Sequence, residues 1–226
     1  MHYRQKKAIL FRFAELMERD AEQLALLESL DVGKPIKDSL SVDVPGSIKT
    51  LRYYAEALDK VYGEVGPETS DRISFAVHEP LGVIGIIVPW NFPLLMAMWK
   101  VGPALAMGNS IVLKPAEQSP LTALKMGELA LEAGLPPGVL NIVPGFGATA
   151  GKALALHMDV DMIAFTGSGP VGKLLMQYSG QSNLKRVSLE LGGKSPQIVF
   201  ADCPDLNAAA VSAAWGVFFN QGEVCT

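Results

Sequence analysis

Apolar residues at Ile9, Leu10, Phe13, Leu16, Met17, Leu24 and Leu27 are spaced among charged ones at helical intervals. That spacing predicts a helix over Ala8 to Leu30 with one side turned to a core. Gly33-Lys34-Pro35 stops it, because glycine ends a helix at little cost and proline cannot continue one. A second helix is predicted over Gly46 to Tyr62, with Tyr53 and Tyr54 as packing residues rather than a stacking platform for a ligand.

From Phe75 onward short β-rich runs alternate with helical ones. Strands are predicted at Val83–Pro89, Ser110–Lys114, Val139–Val143, Met162–Phe165 and Arg186–Glu190, with helices at Leu94–Met107, Leu121–Ala133, Ala148–Leu156 and Pro170–Tyr178 between them. Such a series forms an α/β fold, a parallel sheet with helices on both faces. A last strand, Pro196–Phe200, and an alanine-rich helix, Leu206–Phe219, are expected to follow. Ligands of parallel sheets sit at the carboxyl ends of the strands. The loops after residues 89, 114, 143, 166 and 190 are therefore the places to look for chemistry.

Composition narrows the classes. The chain has 226 residues, 49% of them apolar, which supports a sizeable core and excludes disorder. With 19 basic and 23 acidic side chains the net charge is −4, and no basic run is present, so phosphate attraction to nucleic acid is not expected. The longest apolar run, Val83 to Trp90, is too short to span a bilayer, and the basic start MHYRQKK leads into an amphipathic stretch rather than a signal peptide. Two cysteines, Cys203 and Cys225, build no disulfide framework and suit a reducing, cytoplasmic setting. His2, His78 and His157 are scattered, so no metal constellation can be read.

The loops carry candidate chemistry, each with an ordinary alternative. Asn91, between the prolines of Pro89-Trp90-Asn91-Phe92-Pro93, could offer a rigid amide N–H to a developing oxyanion; alone it could equally be a turn residue. Lys114 and Glu117 could hold a ribose through its hydroxyls, or be a solvated pair. In Phe165-Thr166-Gly167-Ser168-Gly169-Pro170-Val171-Gly172 a strand runs through glycines into a helix, whose free N–H groups could take a phosphate, although the spacing is not GxGxxG. Glu190, beside Gly192-Gly193, could swing as a general base, or be a surface residue. Cys225, after Asn220-Gln221-Gly222-Glu223-Val224, could be a nucleophile once activated, or a buried thiol. Cys203, beside Asp202 and Asp205, reads as structural or incidental.

Taken in order, PWNFP, WKVGPALAMGN, KPAEQSP, GLPPGVLNIVPG, FTGSGPVG, LELGGKSP and NQGEVC resemble the NAD(P)-dependent aldehyde dehydrogenase superfamily over about the whole chain, and ESLDVGKP fits it too. FADCPDL and GEVC are similar to bacterial enzymes acting on γ-glutamylaminobutyraldehyde. The resemblance implies a Rossmann-like sheet, with Cys225 as nucleophile, Glu190 as general base, Asn91 as oxyanion donor and Lys100 in proton transfer. It implies a cofactor site of Pro89, Trp90, Lys114, Glu117, Gly147, Gly167, Ser168, Val171 and Leu191. NAD is expected over NADP, because Glu117 would repel a 2′-phosphate by on the order of 4 kcal/mol at about 4 Å and a dielectric of about 20. The implied substrate is a small aldehyde, and the implied full-length assembly a homodimer or homotetramer.

Members of that superfamily are roughly twice this long. Residues 1–191 would form the NAD-binding domain with its N-terminal helices, and 192–226 only the start of a truncated, incomplete catalytic domain. On that expectation dehydrogenase turnover by the 226-residue chain would be impaired, its exposed face near the carboxyl end would be apolar, and a non-catalytic NAD-binding fragment is the alternative. A cysteine acyltransferase or thioesterase lacks a histidine in any of the loops.

Overall fold

The computed structural model of the chain describes residues 1–225. Helices α1 (Tyr3–Arg19) and α2 (Ala21–Val32) replace the single expected helix. The break falls at Asp20, which leaves helical geometry at φ −98°, ψ 21° and ion-pairs with Arg19 and Lys125. Gly33 caps α2 in the left-handed region at φ 83° and donates to the Ser29 carbonyl, as GKP predicted. A short helix α3 (Ile36–Asp38) and a π-helical turn over Ser39–Asp43 lead into α4 (Val44–Ala57). That helix starts two residues before the expected Gly46 and ends at Ala57 rather than Tyr62; Pro45 is accommodated in its first turn, where a proline lacks no needed N–H.

A small antiparallel hairpin, β1 (Glu64–Val65) with β2 (Phe75–Ala76), precedes the main sheet and was not legible in the sequence. The main sheet comprises β3 (Val83–Ile87), β4 (Ser110–Lys114), β5 (Leu140–Ile142), β6 (Met162–Gly167) and β7 (Arg186–Leu191). All four pairings are parallel and the order is β5-β4-β3-β6-β7. Helices α5 (Pro93–Ala106) and α6 (Leu121–Glu132) cover one face together with α1, α2 and α4. Helices α7 (Lys152–Leu156) and α8 (Gly169–Gly180) cover the other. The core divides accordingly: Leu10, Phe13, Leu51, Leu94, Met98, Leu113 and Met126 belong to one cluster, Ala155, Val160, Ile163, Phe165 and Leu175 to another. The expected Ala148–Leu156 helix begins as a π-helical turn, Gly147–Gly151, and only Lys152–Leu156 is α-helical.

Beyond β7 the expectation of another strand fails. Pro196–Phe200 is exposed and pairs with no strand among the described residues; a run of strand-forming residues becomes a strand only where it is paired. Helix α9 (Leu206–Phe218) forms as expected, with Asp205 accepting from the Ala208 N–H at its start, yet none of its residues is buried. It touches the rest through Trp215, stacked on Phe219, which in turn faces Phe92. Among the described residues no helix is long and apolar enough to cross a membrane, and no group of His, Cys, Asp and Glu could hold a metal.

Candidate active site

The strand order reverses at β3. The chain leaves β3 for β4 and β5 on one side, then returns to β6 and β7 on the other. A crevice opens where connections from neighbouring strands diverge in this way. Its walls are the Pro89–Pro93 loop after β3 and the Gly167-Ser168 loop after β6. Trp90 is exposed at this rim and Pro89 half-buried.

Along β7 alternate residues point to opposite faces. Val187 and Leu189 pack toward α8, so Glu190 shares the other face, on which α5 lies. Lys100 projects from α5 and donates from Nζ to the Thr166 hydroxyl at the end of β6, 2.5 Å away. Burial pushes the Lys100 ammonium below its usual range, while the charges of Glu190 and Cys225 pull it back. Lys100 therefore stands within electrostatic reach of both Glu190 and Cys225.

Cys225 follows a turn of unusual backbone. Asn220, Gln221 and Gly222 have φ of 50°, 58° and 77°. Side-chain residues rarely adopt that region, and such strain persists where surrounding contacts over-determine it. Asn220 is buried and donates from Nδ2 to the Asn91 main-chain carbonyl at 3.0 Å. The Asn91 side chain donates to the Glu223 carbonyl, two residues before Cys225. Gly193 donates its N–H to the Cys225 carbonyl at 2.8 Å. A Cβ on Gly193 would lie 3.2 Å from that oxygen. The loops after β3 and β7 thus both grip the cysteine turn. One amide hydrogen of Asn91 is committed to the Glu223 carbonyl, and its Oδ1 is buried without a partner.

The cofactor candidates lie along the same edge. Lys114, at the end of β4, is buried and donates to Glu117 at 3.2 Å and to the Pro115 carbonyl at 2.7 Å. This pair is not the solvated alternative, since the lysine is enclosed while Glu117 stays exposed. Hydrogen bonds from its own backbone N–H and from Lys114 hold the Glu117 carboxyl below the usual range. The turn holding Gly147 packs on this lysine: a Cβ on Gly151 would lie 3.6 Å from Lys114 Cδ. Gly147 itself is exposed with open space around it. Ser168 stands at the start of α8 and makes no side-chain cap, so the first N–H groups of that helix have no side-chain partner there. A Cβ would meet nothing at Gly169 but would meet the Phe165 ring at 2.5 Å at Gly167. Val171 and Leu191 are exposed beside them. An open glycine cradle, unfilled helix N–H donors and a cation–carboxylate pair suit a dinucleotide's pyrophosphate and ribose.

Two residues of the assembly are given no role of their own by the sequence, although ESLDVGKP and NQGEVC contain them. Lys34 reads only as part of a helix stop and Asn220 only as part of a turn; both prove to bind the Asn91 carbonyl.

The sequence pattern of the aldehyde dehydrogenase family matches residues 1–226. The Escherichia coli (strain K12) protein named NADP/NAD-dependent aldehyde dehydrogenase PuuC is 60% identical over 220 residues, which is 97% of this chain and 44% of that protein. A crystal structure of indole-3-acetaldehyde dehydrogenase with NAD+ superposes with TM-score 0.98 at 61% identity, covering 100% of this chain and 46% of the other. One of γ-glutamyl-γ-aminobutyraldehyde dehydrogenase from Burkholderia cenocepacia J2315 gives 0.97 and 59%, with 100% and 46% covered. The chain thus spans under half the length of these relatives. The ordered motifs, the parallel sheet with its reversal point and the matched pattern together show that the chain belongs to the aldehyde dehydrogenase family.

Proposed function

We propose that the chain binds NAD and carries the residues for oxidising an aldehyde to a carboxylic acid through a covalent thioester on Cys225. The observation that supports it best is the tying of the Cys225 turn to Asn91 and Gly193, with Lys100 and Glu190 electrostatically within reach, at one end of one parallel sheet.

On this reading the Cys225 thiolate adds to the aldehyde carbon and the carbonyl oxygen becomes an oxyanion. An amide hydrogen of Asn91 and the backbone N–H of Cys225 stabilise it; loss of one such donor typically costs roughly 3–4 kcal/mol of barrier. When bound, NAD supplies the acceptor for the hydride that leaves the thiohemiacetal carbon. Glu190 then takes a proton from a water, and the resulting oxygen nucleophile expels the Cys225 thiolate to release the acid. Lys100, partly buried and bonded to Thr166, stands within electrostatic reach of Glu190 and Cys225. A sulfur nucleophile attacks well and leaves well, which divides one difficult oxidation into two easier steps.

Pro89, Trp90, Gly147, Gly167, Ser168, Val171 and Leu191 would line the cofactor, with Lys114 and Glu117 on the ribose. Glu117 sets the preference for NAD: its carboxylate would oppose a 2′-phosphate, although the PuuC protein is named for both cofactors. Residues 1–191 would form the cofactor domain and 192–226 the opening of the catalytic one, and the unpaired thiols suit the cytoplasm. A second reading, binding of NAD without turnover, is favoured by the solvent exposure of Glu190 and of helix α9.

Titration with NAD and NADP, combined with steady-state assay on aldehydes including indole-3-acetaldehyde and γ-glutamyl-γ-aminobutyraldehyde, tests both readings. Tighter NAD binding is expected, and Glu117→Gln is expected to narrow the difference. Tighter binding of NADP than of NAD overturns the cofactor assignment. NAD binding without any turnover selects the second reading; absence of binding removes both.

A further inference from the structure

Behind the Asn91 loop lies a buried ionic cluster. The Lys34 ammonium is held 3.2 Å from both Asp43 carboxylate oxygens and 3.9 Å from Glu28 Oε1, and all three side chains are buried to within 1%. It lies 4.3 Å from the centroid of the Phe92 ring. Asp43 alone would pair its charge, yet Lys34 also donates to the main-chain carbonyl of Asn91 at 3.1 Å. Glu28 accepts from the N–H of Leu94, at the first turn of α5, at 3.3 Å. The loop between β3 and α5 is therefore held from behind at its middle by a charge-assisted hydrogen bond from Lys34 and at its end by the buried Glu28 carboxyl. The same Asn91 carbonyl receives Asn220 Nδ2 from the cysteine turn.

We propose that Lys34 is a positioning residue for the reaction at Cys225. Its ammonium, anchored by Asp43, fixes the Asn91 peptide through the carbonyl, and so fixes where the Asn91 amide stands against the cysteine turn. The proposal rests on the reading of Asn91 as the oxyanion donor. An anchor of this kind serves the oxyanion because a donor stabilises developing charge only if it is already in place when the charge appears.

Two reactions of Cys225 separate positioning from general loosening. Acetylation by p-nitrophenyl acetate forms a tetrahedral oxyanion: the thiolate adds to the ester carbonyl, p-nitrophenolate leaves, and S-acetyl cysteine remains. Alkylation by iodoacetamide displaces iodide at carbon and forms no oxyanion. Both are measured in a Cys203→Ser background, where Cys225 is the only thiol. Lys34→Met paired with Asp43→Asn removes the ammonium and its nearest carboxylate, leaving the Glu28 carboxyl, which burial already pushes toward its neutral form, and Lys34→Met alone is compared with it. The expected result is acetylation slowed about tenfold with alkylation unchanged, and no further slowing when the substitutions are added to Asn91→Ala.

Equal slowing of both reactions, or the same slowing in the Asn91→Ala background, overturns the proposal while leaving Asn91 in its role. So does unchanged acetylation in the paired variant. If Asn91→Ala itself leaves the ratio of the two rates unchanged, the oxyanion reading of Asn91 fails, and the role of Lys34 fails with it.

Discussion

Glu28 bears the largest electrostatic burden of any carboxyl group described. It has no exposed surface, and that burial, reinforced by the charge of Asp43 and opposed by Lys34 and the Leu94 N–H, pushes its carboxyl up to about 8. In the unfolded chain it would release its proton near the ordinary carboxyl value of 4.5. The folded state therefore binds the proton more tightly, so stability is full below about pH 4.5 and declines as pH rises through about 8. Glu28→Gln keeps a neutral side chain at every pH and is expected to remove this part of the decline, on the order of a few kcal/mol at the alkaline end. Urea unfolding at pH 5 and pH 8.5 measures it; the same fall in midpoint for both proteins would contradict the assignment. Cys225, Glu190, Asn91 and Lys100 were legible because prolines, glycines or an ordered motif mark their positions. Lys34 and Asn220 were not, since their bonds to Asn91 span 57 and 129 positions along the chain.

The elements came through in kind more than in detail. Periodicity identified α5, α6, α8 and all five sheet strands, because the apolar repeat is a local property. It merged α1 with α2, since apolar spacing continues across Asp20 while the break is made by ion pairs to Arg19 and to Lys125 on α6. It overstated Pro196–Phe200, where strand propensity is met by no pairing among the described residues. The packing of α7 on the sheet shows what a single missing atom can decide. A Cβ on Gly85 in β3 would meet Ile163 Cδ1 at 2.6 Å and Leu154 Cγ at 3.1 Å. Gly85→Ala is expected to cost roughly 1–3 kcal/mol through this overpacking. A lower urea midpoint with unchanged slope checks it, and an unshifted midpoint would show that α7 yields freely.

The molecule as a whole leaves a broad apolar surface uncovered. Ile198, Phe200, Leu206, Val211, Trp215, Val217 and Phe218 are all exposed along the segment after β7. Patches of that kind bind apolar probes and promote association. The chain is therefore expected to enhance the fluorescence of an anilinonaphthalene sulfonate dye in its native state, and Trp215→Ser with Phe218→Ser is expected to reduce the signal by about half or more. A native chain that leaves the dye dark would mean this surface is covered in solution.

Local chemistry in the chain was enough to declare an alternating α/β protein, to mark the strand ends where ligands sit, and to order seven motifs that resemble one family. It was enough because turn residues, helical spacing and strand runs act over a few positions. Only the folded chain decided that β6 returns to the far side of β3, opening the crevice there. Only it set the Asn91 carbonyl between a buried ammonium and the cysteine turn. Both depend on the free energy of burying distant segments against each other, which no short stretch of sequence contains.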